Sequence, residues 1–188
     1  MNVPNELKQV KQWVCWKAIH RDNGKVDKIP INPHSLYNAK SNDPTTWTDF
    51  QAAYETAKKN RMGIGFMFGN GYFGVDIDHC VEDGTISDIA KDVINTLDSY
   101  TEYSPSNTGI HIICKGKLPK GERRNKQIEM YDSGRFFTMT GRILDDAHTD
   151  VEERTTEIAQ LHEKYMKKDE KKTNLVPTLM SGAAENYM

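Results

Sequence analysis

The stretch Phe73–Cys80, which reads Phe-Gly-Val-Asp-Ile-Asp-His-Cys, most constrains what this chain can fold into. Side chains of an extended chain alternate between two faces, so Asp76 and Asp78 share one face while Val75 and Ile77 point towards an apolar layer. The pattern predicts a β-strand that carries two neighbouring carboxylates. These repel each other unless a cation lies between them, and Mg²⁺ or Mn²⁺ prefers such oxygen ligands. An exposed strand end is the alternative interpretation.

The composition limits the kinds of protein to consider. The chain has 188 residues, 37% of them hydrophobic and 28% charged, which is typical of a globular domain with a polar surface. Its net charge of −2 excludes a uniformly basic surface, so any polyanion site must be a local patch. Three separated cysteines predict reduced thiols, and no stretch reads as a membrane span or a secretory leader. We therefore expect a cytoplasmic protein.

Turn and capping residues divide the chain into strands with single helices between them. Asn23-Gly24 predicts a hairpin, Asp43-Pro44 predicts a helix start, and Ser87 predicts a helix N-cap. Two more hairpins are expected around residues 69–71 and 132–134. The predicted strands cover residues 13–19, 28–30, 63–68, 72–78, 100–103, 110–114, 127–131 and 135–140, and further helices cover 5–12 and 151–165.

This order of elements predicts an α+β fold with a mainly antiparallel sheet. We expect a small N-terminal α/β lobe at about 1–62, a second lobe at 63–145 and a C-terminal helix at 150–168. Together they are expected to form one domain at 1–170. Residues 167–172 are a charge run, and 173–188 show no periodicity, which is typical of a tail or linker.

The loop Ser104-Pro105-Ser106-Asn107-Thr108-Gly109 precedes a strand that carries His111. Its hydroxyls and backbone N–H groups could surround phosphate oxygens, and the histidine could donate a hydrogen bond to the same group. The plain alternatives are an ordinary turn and a core histidine. We treat Ser104, Ser106, Asn107, Thr108, Gly109 and His111 as candidate nucleotide-binding residues.

A third carboxylate, Glu129, lies in the strand pattern Ile-Glu-Met-Tyr and shares its face with Tyr131. An acid in an otherwise apolar strand needs a partner, because burying an unpaired charge is costly. A sheet face open to water, or an ion pair with Arg135, would also account for it.

A basic segment at 115–126 stands out in a chain that is acidic overall. It contains one acidic residue, and it could follow a phosphate backbone or be a solvated loop. Its basic residues are Lys115, Lys117, Lys120, Arg123, Arg124 and Lys126.

Taken together, these motifs resemble the archaeo-eukaryotic primase superfamily, and within it the primase-polymerase domains at the N-terminus of phage and plasmid primase-helicases. The resemblance covers roughly residues 10–142. It rests on Asp76-x-Asp78, Ser104-Pro105-Ser106-x-x-Gly109-x-His111, Glu129-x-Tyr131-x-x-x-Arg135 and Thr140-Gly141, with Lys28-Ile29-Pro30, Asp43-Pro44 and Gly63-Ile64-Gly65 upstream.

The resemblance implies an RRM-like unit joined to a small α/β unit, with the active site between them. It implies that Asp76, Asp78 and Glu129 hold two Mg²⁺ or Mn²⁺ ions and act with His111 in catalysis. It further implies that His111 contacts the phosphates of an incoming NTP or dNTP, in a bacterial, archaeal or phage-infected host. Arg135 is a further candidate nucleotide-binding residue, because its charge could neutralise the triphosphate.

The expected partners are a single-stranded DNA template, a primer, and a helicase domain or partner. For the nucleic acid, the candidate contacts are Lys28, Lys117, Lys120, Arg123, Arg124 and Lys126. The leading hypothesis is a DNA primase or polymerase that works by a two-metal mechanism. A metal-dependent nuclease and a non-catalytic module that binds single strands are the alternatives.

Overall fold

Two four-stranded antiparallel sheets form the framework of the computed structural model, which describes residues 1–166. The predicted charge run and tail lie outside the described residues. The strands are β1 Trp13–His20, β2 Val26–Ile31, β3 Gly63–Met67, β4 Tyr72–Ile77, β5 Val81–Glu82, β6 Thr85–Ile86, β7 Thr101–Tyr103, β8 Ile110–Lys115, β9 Ile128–Tyr131 and β10 Phe136–Met139. The helices are α1 Asn5–Lys8, α2 Phe50–Asn60, α3 Asp88–Leu97 and α4 Thr155–Met166, with a 3-10 turn at Pro44–Thr46.

Sheet A has the strand order β10-β3-β1-β2, and sheet B has the order β7-β8-β4-β9. A short ribbon pairs β5 with β6. The prediction of a mixed α and β fold with antiparallel sheets is confirmed. Sheet A takes β3 and β10 from the segment expected to form the second lobe, so the sheets do not follow the predicted boundary at residue 62.

The first predicted hairpin is confirmed, whereas the other two are wrong. β1 pairs with β2 across the turn that contains Asn23-Gly24. At both other turns the chain instead crosses between the sheets: β3 lies in sheet A and β4 in sheet B, and β9 lies in sheet B and β10 in sheet A. A tight turn fixes only a local reversal, and the pairing partner is decided by which layer buries each strand face.

Helix boundaries also differ from the prediction, and capping explains the start of α2. Asp43 accepts a hydrogen bond from the Thr45 N–H and caps the 3-10 turn, while Asp49 accepts one from the Ala52 N–H at 2.9 Å and caps α2. Helix α4 begins at Thr155 instead of residue 151, and α1 ends at Lys8. The predicted N-cap of α3 is confirmed, because the Ser87 hydroxyl accepts from the Ala90 N–H.

Apolar side chains fill the space between each sheet and its helices. One cluster joins α2 to sheet A and contains the fully buried Trp13, whose indole N–H donates to the Leu7 carbonyl at 2.7 Å. A second cluster joins α3 and α4 to sheet B. Cys15, Cys80 and Cys114 are buried and free. Among the described residues, no helix combines the length and apolar character that a membrane crossing requires.

Gly74 in β4 brings the two sheets into contact. A Cβ at this position would lie 2.2 Å from the Phe68 ring and 2.5 Å from the Phe137 ring. These two rings pack edge to face at 4.7 Å. The missing side chain therefore lets an aromatic pair from sheet A lie directly on β4, two residues before Asp76.

Candidate active site

The central strand of sheet B aligns the predicted site residues in one row. In the antiparallel register, Asp76 of β4 lies opposite His111 of β8 on one side and opposite Glu129 of β9 on the other. Directly opposed residues on one sheet face have neighbouring side chains. The strand pairing thus brings together three residues that are far apart in the sequence.

The row extends further at both ends. Glu102 of β7 lies opposite His111, and an isolated bridge places Arg124 opposite Glu129. The complete row across sheet B is therefore Glu102, His111, Asp76, Glu129 and Arg124. Two of its acids, Asp76 and Glu129, have no basic residue between them.

A cavity of about 260 Å³ opens beside this row, at the junction of the two sheets. Sheet B supplies its acidic side, and sheet A and two arginines supply basic and aromatic groups. The lining residues are Lys28, Asp76, His111, Arg124, Glu129, Tyr131, Arg135, Phe136, Phe137 and Thr138.

Asp76 is held in an unfavourable electrostatic environment. Its side chain is 23% exposed, and its Oδ1 atom is buried without a hydrogen-bond partner among the described residues. The pKa of Asp76 is raised to about 6, mainly by burial and also by Asp78 and Glu129, against the opposing effects of His111 and Lys28. A buried carboxylate next to two other acids is a position that a cation would stabilise.

His111 lies between two carboxylates. Its Nε2 is 3.8 Å from Asp76 Oδ1, and its Nδ1 is 3.5 Å from Glu102 Oε1. Its ring stacks on Phe137 at 4.5 Å between ring centroids. The histidine is buried, so strand pairing and this stack fix the position of its ring.

Glu102 is the residue that the sequence analysis missed. It is fully buried and accepts hydrogen bonds from the Tyr100 hydroxyl at 2.7 Å, the Thr140 N–H at 3.0 Å and the Gly141 N–H at 2.7 Å. It therefore joins β7 to the Thr140-Gly141 segment behind His111. Like Glu129, Glu102 is an acid inside a predicted strand, but its neighbours Thr101 and Tyr103 carry hydroxyl groups, so the argument from an otherwise apolar strand did not single it out.

Asp78 lies just outside the row. β4 ends at Ile77, not at residue 78 or beyond, so the expected alternation does not reach Asp78. Asp78 is exposed in the following turn, where its N–H donates to the Gln127 carbonyl at 2.9 Å. It is close enough to raise the pKa of Asp76, although it does not line the cavity.

The 104–109 loop lies beside this same turn. The Thr108 carbonyl accepts from the Cys80 and Val81 N–H groups, and the hydroxyls of Ser104, Ser106 and Thr108 form a chain at 3.0 and 2.9 Å. Three loop residues, Ser106, Asn107 and Thr108, are exposed and do not line the cavity.

Gly109 is buried, and a Cβ there would lie 3.0 Å from the Ile77 carbonyl oxygen. The absence of a side chain at this position therefore lets the loop approach the end of β4, close to Asp78.

Glu129 has a neutral partner. It accepts a short hydrogen bond from the Tyr131 hydroxyl, and the Arg135 guanidinium lies over the Tyr131 ring at 5.3 Å from its centroid. The ion pair between Arg135 and Glu129 considered from the sequence is not formed within residues 1–166. Arg135 instead presents its charge to the cavity.

The predicted basic contacts divide into three groups. Lys28 and Arg124 line the cavity, and Arg123 pairs with Asp132 at 3.5 Å. The exposed residues Lys117, Lys120 and Lys126 do not line it, and the first two border a separate cavity beside α4.

The donors suit a hard divalent cation, although they are not assembled around one. As the side chains stand, no three His, Cys, Asp or Glu residues within residues 1–166 are arranged to hold a metal ion. The unpartnered Oδ1 of Asp76, with the nearby carboxylates of Asp78 and Glu129, supplies the oxygen ligands that Mg²⁺ and Mn²⁺ prefer. The donor chemistry therefore fits the expected metal.

Comparison with known proteins adds an independent observation. Over 166 residues the chain is 32% identical to a protein described as "DNA Primase-polymerase" from Nitratiruptor phage NrS-1. This chain has a primase-polymerase domain. The match covers 81% of this chain and 22% of the phage protein, and no family model matches the chain. The resemblance drawn from the sequence motifs is confirmed.

Proposed function

We propose that this primase-polymerase domain catalyses template-directed nucleotidyl transfer, as a DNA primase, a DNA polymerase or both, in replication of the phage or plasmid type. The observation that carries the proposal is the row His111, Asp76 and Glu129 beside a cavity with cationic walls, with one buried Asp76 oxygen unpartnered. The similarity to a phage primase-polymerase supports the same reaction.

Asp76, Asp78 and Glu129 are the proposed ligands of two Mg²⁺ or Mn²⁺ ions. When bound, such ions supply Lewis-acid stabilisation of an in-line phosphoryl displacement. The side chains themselves concentrate negative charge at one end of the cavity. Together with burial, which is the larger cause, that charge raises the pKa of Asp76, and it favours cation binding over an empty site.

The opposite side of the cavity is proposed to bind the triphosphate of an NTP or dNTP. Lys28, Arg124 and Arg135 line it and bear positive charge, and His111 adds its ring Nε2 as a candidate donor. Ser106 and Thr108 lie outside the cavity, in the loop beside the turn that carries Asp78, where their hydroxyls are accessible. The proposed metal ligands and the proposed phosphate-binding groups are thus different sets of residues.

We also propose that sheet B is an RRM-like unit. Four strands in sequence order, β4, β7, β8 and β9, are arranged as β7-β8-β4-β9, and α3 connects the first to the second. This order matches the four-stranded sheet of RRM domains. The basic segment at 115–126 occupies the connection between β8 and β9, where such units place a second helix.

The proposed partners are a single-stranded DNA template and a primer. A helicase, in the same protein or in a partner, would supply the unpaired template that a cavity of this kind requires. Because the match covers 22% of the phage protein, these roles are proposed for the domain alone.

An incorporation assay tests the proposal. Labelled dNTP or NTP is supplied with a single-stranded template, with and without primer, in Mg²⁺ and in Mn²⁺. Asp76→Asn should reduce incorporation to background, because it removes one charge at the centre of the row. Asp88→Asn, an exposed acid on α3, should leave incorporation unchanged.

Two results would contradict the proposal. One is incorporation at the wild-type rate by a folded Asp76→Asn variant. The other is template cleavage in the absence of nucleotides that depends on Asp76, which would identify a metal-dependent nuclease instead.

A further inference from the structure

The turn that follows β2 presents an aromatic ring to solvent on an ordered backbone. Tyr37 is 79% exposed, and the neighbouring Leu36 is 47% exposed. The turn is held by backbone hydrogen bonds, from the Asn32 N–H to the Tyr37 carbonyl at 2.8 Å and from the Leu36 N–H to the Asn32 carbonyl at 2.9 Å. The Asn32 side-chain oxygen also accepts from the His34 N–H at 2.9 Å. An exposed ring on a fixed turn can stack on a flat partner with little loss of conformational entropy.

This turn lies at the outer edge of sheet A, close to the cavity. The Ala39 N–H donates to the Pro30 carbonyl at 2.8 Å, and Ile31 bridges to Asn38, so the segment after the turn runs along β2. The same strand carries Lys28, which lines the cavity. The strand from Lys28 to the start of the turn spans roughly 13 Å, given about 3.3 Å per residue. This is about the length of four stacked nucleotides.

The segment that contains β2 and the Tyr37 turn is basic. Residues 16–40 contain two acidic residues, and one of them, Asp27, is paired with Arg21 at 2.6 Å. A chain of net charge −2 thus has a segment with excess positive charge that includes Lys28 at the cavity. The five basic residues of the segment, all exposed, are Lys17, Arg21, Lys25, Lys28 and Lys40.

We propose that Tyr37 and this basic segment bind the single-stranded template, with the Tyr37 ring stacked on one unpaired base. Aromatic stacking together with backbone-neutralising charge is the combination that binds single strands without sequence preference. The surface lies on sheet A, so it is separate from the basic segment at 115–126, which belongs to sheet B. Template approaching the cavity would pass between the two basic segments. The proposal rests on the proposed function for the identity of its ligand.

The test measures binding without catalysis, so that it stands apart from the incorporation assay. Fluorescence anisotropy follows a labelled single-stranded oligonucleotide titrated with protein in EDTA and without nucleotides. Tyr37→Ala should weaken binding by roughly 5- to 20-fold, the loss expected for one stacked base. Tyr37→Phe keeps the ring and should bind like the wild type.

Tyr54→Ala provides the matched control. Tyr54 is also an exposed tyrosine, but it lies on α2, which packs on the face of sheet A that carries Cys15. Phe136, which lines the cavity, packs with Val14 on the opposite face. Loss of Tyr54 should therefore leave the affinity for the oligonucleotide unchanged.

A second series separates stacking from a structural role of the ring. A single abasic position is moved along the oligonucleotide. The affinity of the wild type should fall when the missing base is the one that would stack on Tyr37. At that position Tyr37→Ala should cause no further loss, because the base it would contact is already absent.

Equal affinity of Tyr37→Ala and the wild type would overturn the proposal, as would a loss that persists on a fully abasic strand. Failure of wild-type protein to bind single strands would overturn it too, and would point to a protein partner for Tyr37. A wild type that binds through Tyr37 but incorporates no nucleotide would overturn the proposed function and leave this proposal standing.

Discussion

Replacing Asp76 by Asn should make the metal-free protein more stable, although it removes activity. The carboxylate is buried at the centre of the row with one oxygen unpartnered, and its pKa rises from 3.8 to about 6. The charged form is therefore less favourable in the folded state than in the unfolded chain. An amide of nearly the same shape carries no charge and avoids that cost.

The sign and size of this effect follow from proton linkage. Below about pH 4 the Asp76 carboxyl is protonated in both states, and it costs the fold nothing. Between about pH 4 and pH 6 the unfolded chain releases its proton while the folded protein keeps it, so stability falls by about 1.4 kcal/mol per pH unit. Above pH 6 the free energy of unfolding is lower by about 3 kcal/mol, since the folded pKa of about 6 exceeds 3.8 by roughly two units.

The assay is urea denaturation in EDTA at a series of pH values from 4 to 8, followed by tryptophan fluorescence. The gain in stability of Asp76→Asn over wild type should be near zero at pH 4 and approach about 3 kcal/mol at pH 7. Asp88→Asn should show no such dependence, because Asp88 is fully exposed. A difference between Asp76→Asn and wild type that does not change with pH, or a wild type that is the more stable at pH 8, would refute the reasoning. Added Mg²⁺ or Mn²⁺ should stabilise wild type, because an ion that binds the folded state and not the unfolded chain raises the free energy of unfolding. Asp76→Asn lacks one of the proposed metal ligands, and its stability should not change on addition of the ions.

Two further substitutions test the framework around the site. Gly74→Ala should destabilise the fold by about 1–3 kcal/mol, because its Cβ would overlap the rings of Phe68 and Phe137. If the variant were as stable as the wild type in urea denaturation, the two sheets could separate at no cost. Glu102→Gln should lower stability by about 1–3 kcal/mol, because an amide oxygen accepts hydrogen bonds from the same backbone N–H groups more weakly than a carboxylate does. The same substitution should lower the kcat of incorporation more than it raises KM. The exposed Glu82→Gln is its control, and equal behaviour of the two variants would remove Glu102 from the support of His111.

Much of the site could be predicted from the sequence, because its residues lie on strands whose local pattern is legible. Asp76, His111 and Glu129 each alternate with apolar neighbours, and the structure places them side by side. Their convergence was expected from the family resemblance and not from periodicity. Glu102 was missed because it lies in a three-residue strand, which is too short for alternation to indicate which face is buried.

The sequence by itself determined the features that depend on contacts between residues close together in the chain. The β1–β2 hairpin depends on the turn at Asn23-Gly24, and the start of α3 depends on the Ser87 hydroxyl and a backbone N–H three residues later. These interactions form within a few residues, so the local chemistry specifies them. The strand pattern at 73–77 likewise needs only the alternation of its own side chains.

Apart from the β1–β2 hairpin, only the tertiary structure decided which strands pair and where the cavity opens. The turns around Asn70 and Ser133 read as hairpins, yet the strands on either side join different sheets, since burying both faces of each strand outweighs the local reversal. Asp49 in place of Asp43 caps α2 because Trp47 packs with Val14 instead of continuing a helix. The row across sheet B depends on this pairing, because register between distant strands is set by the apolar layers that they share.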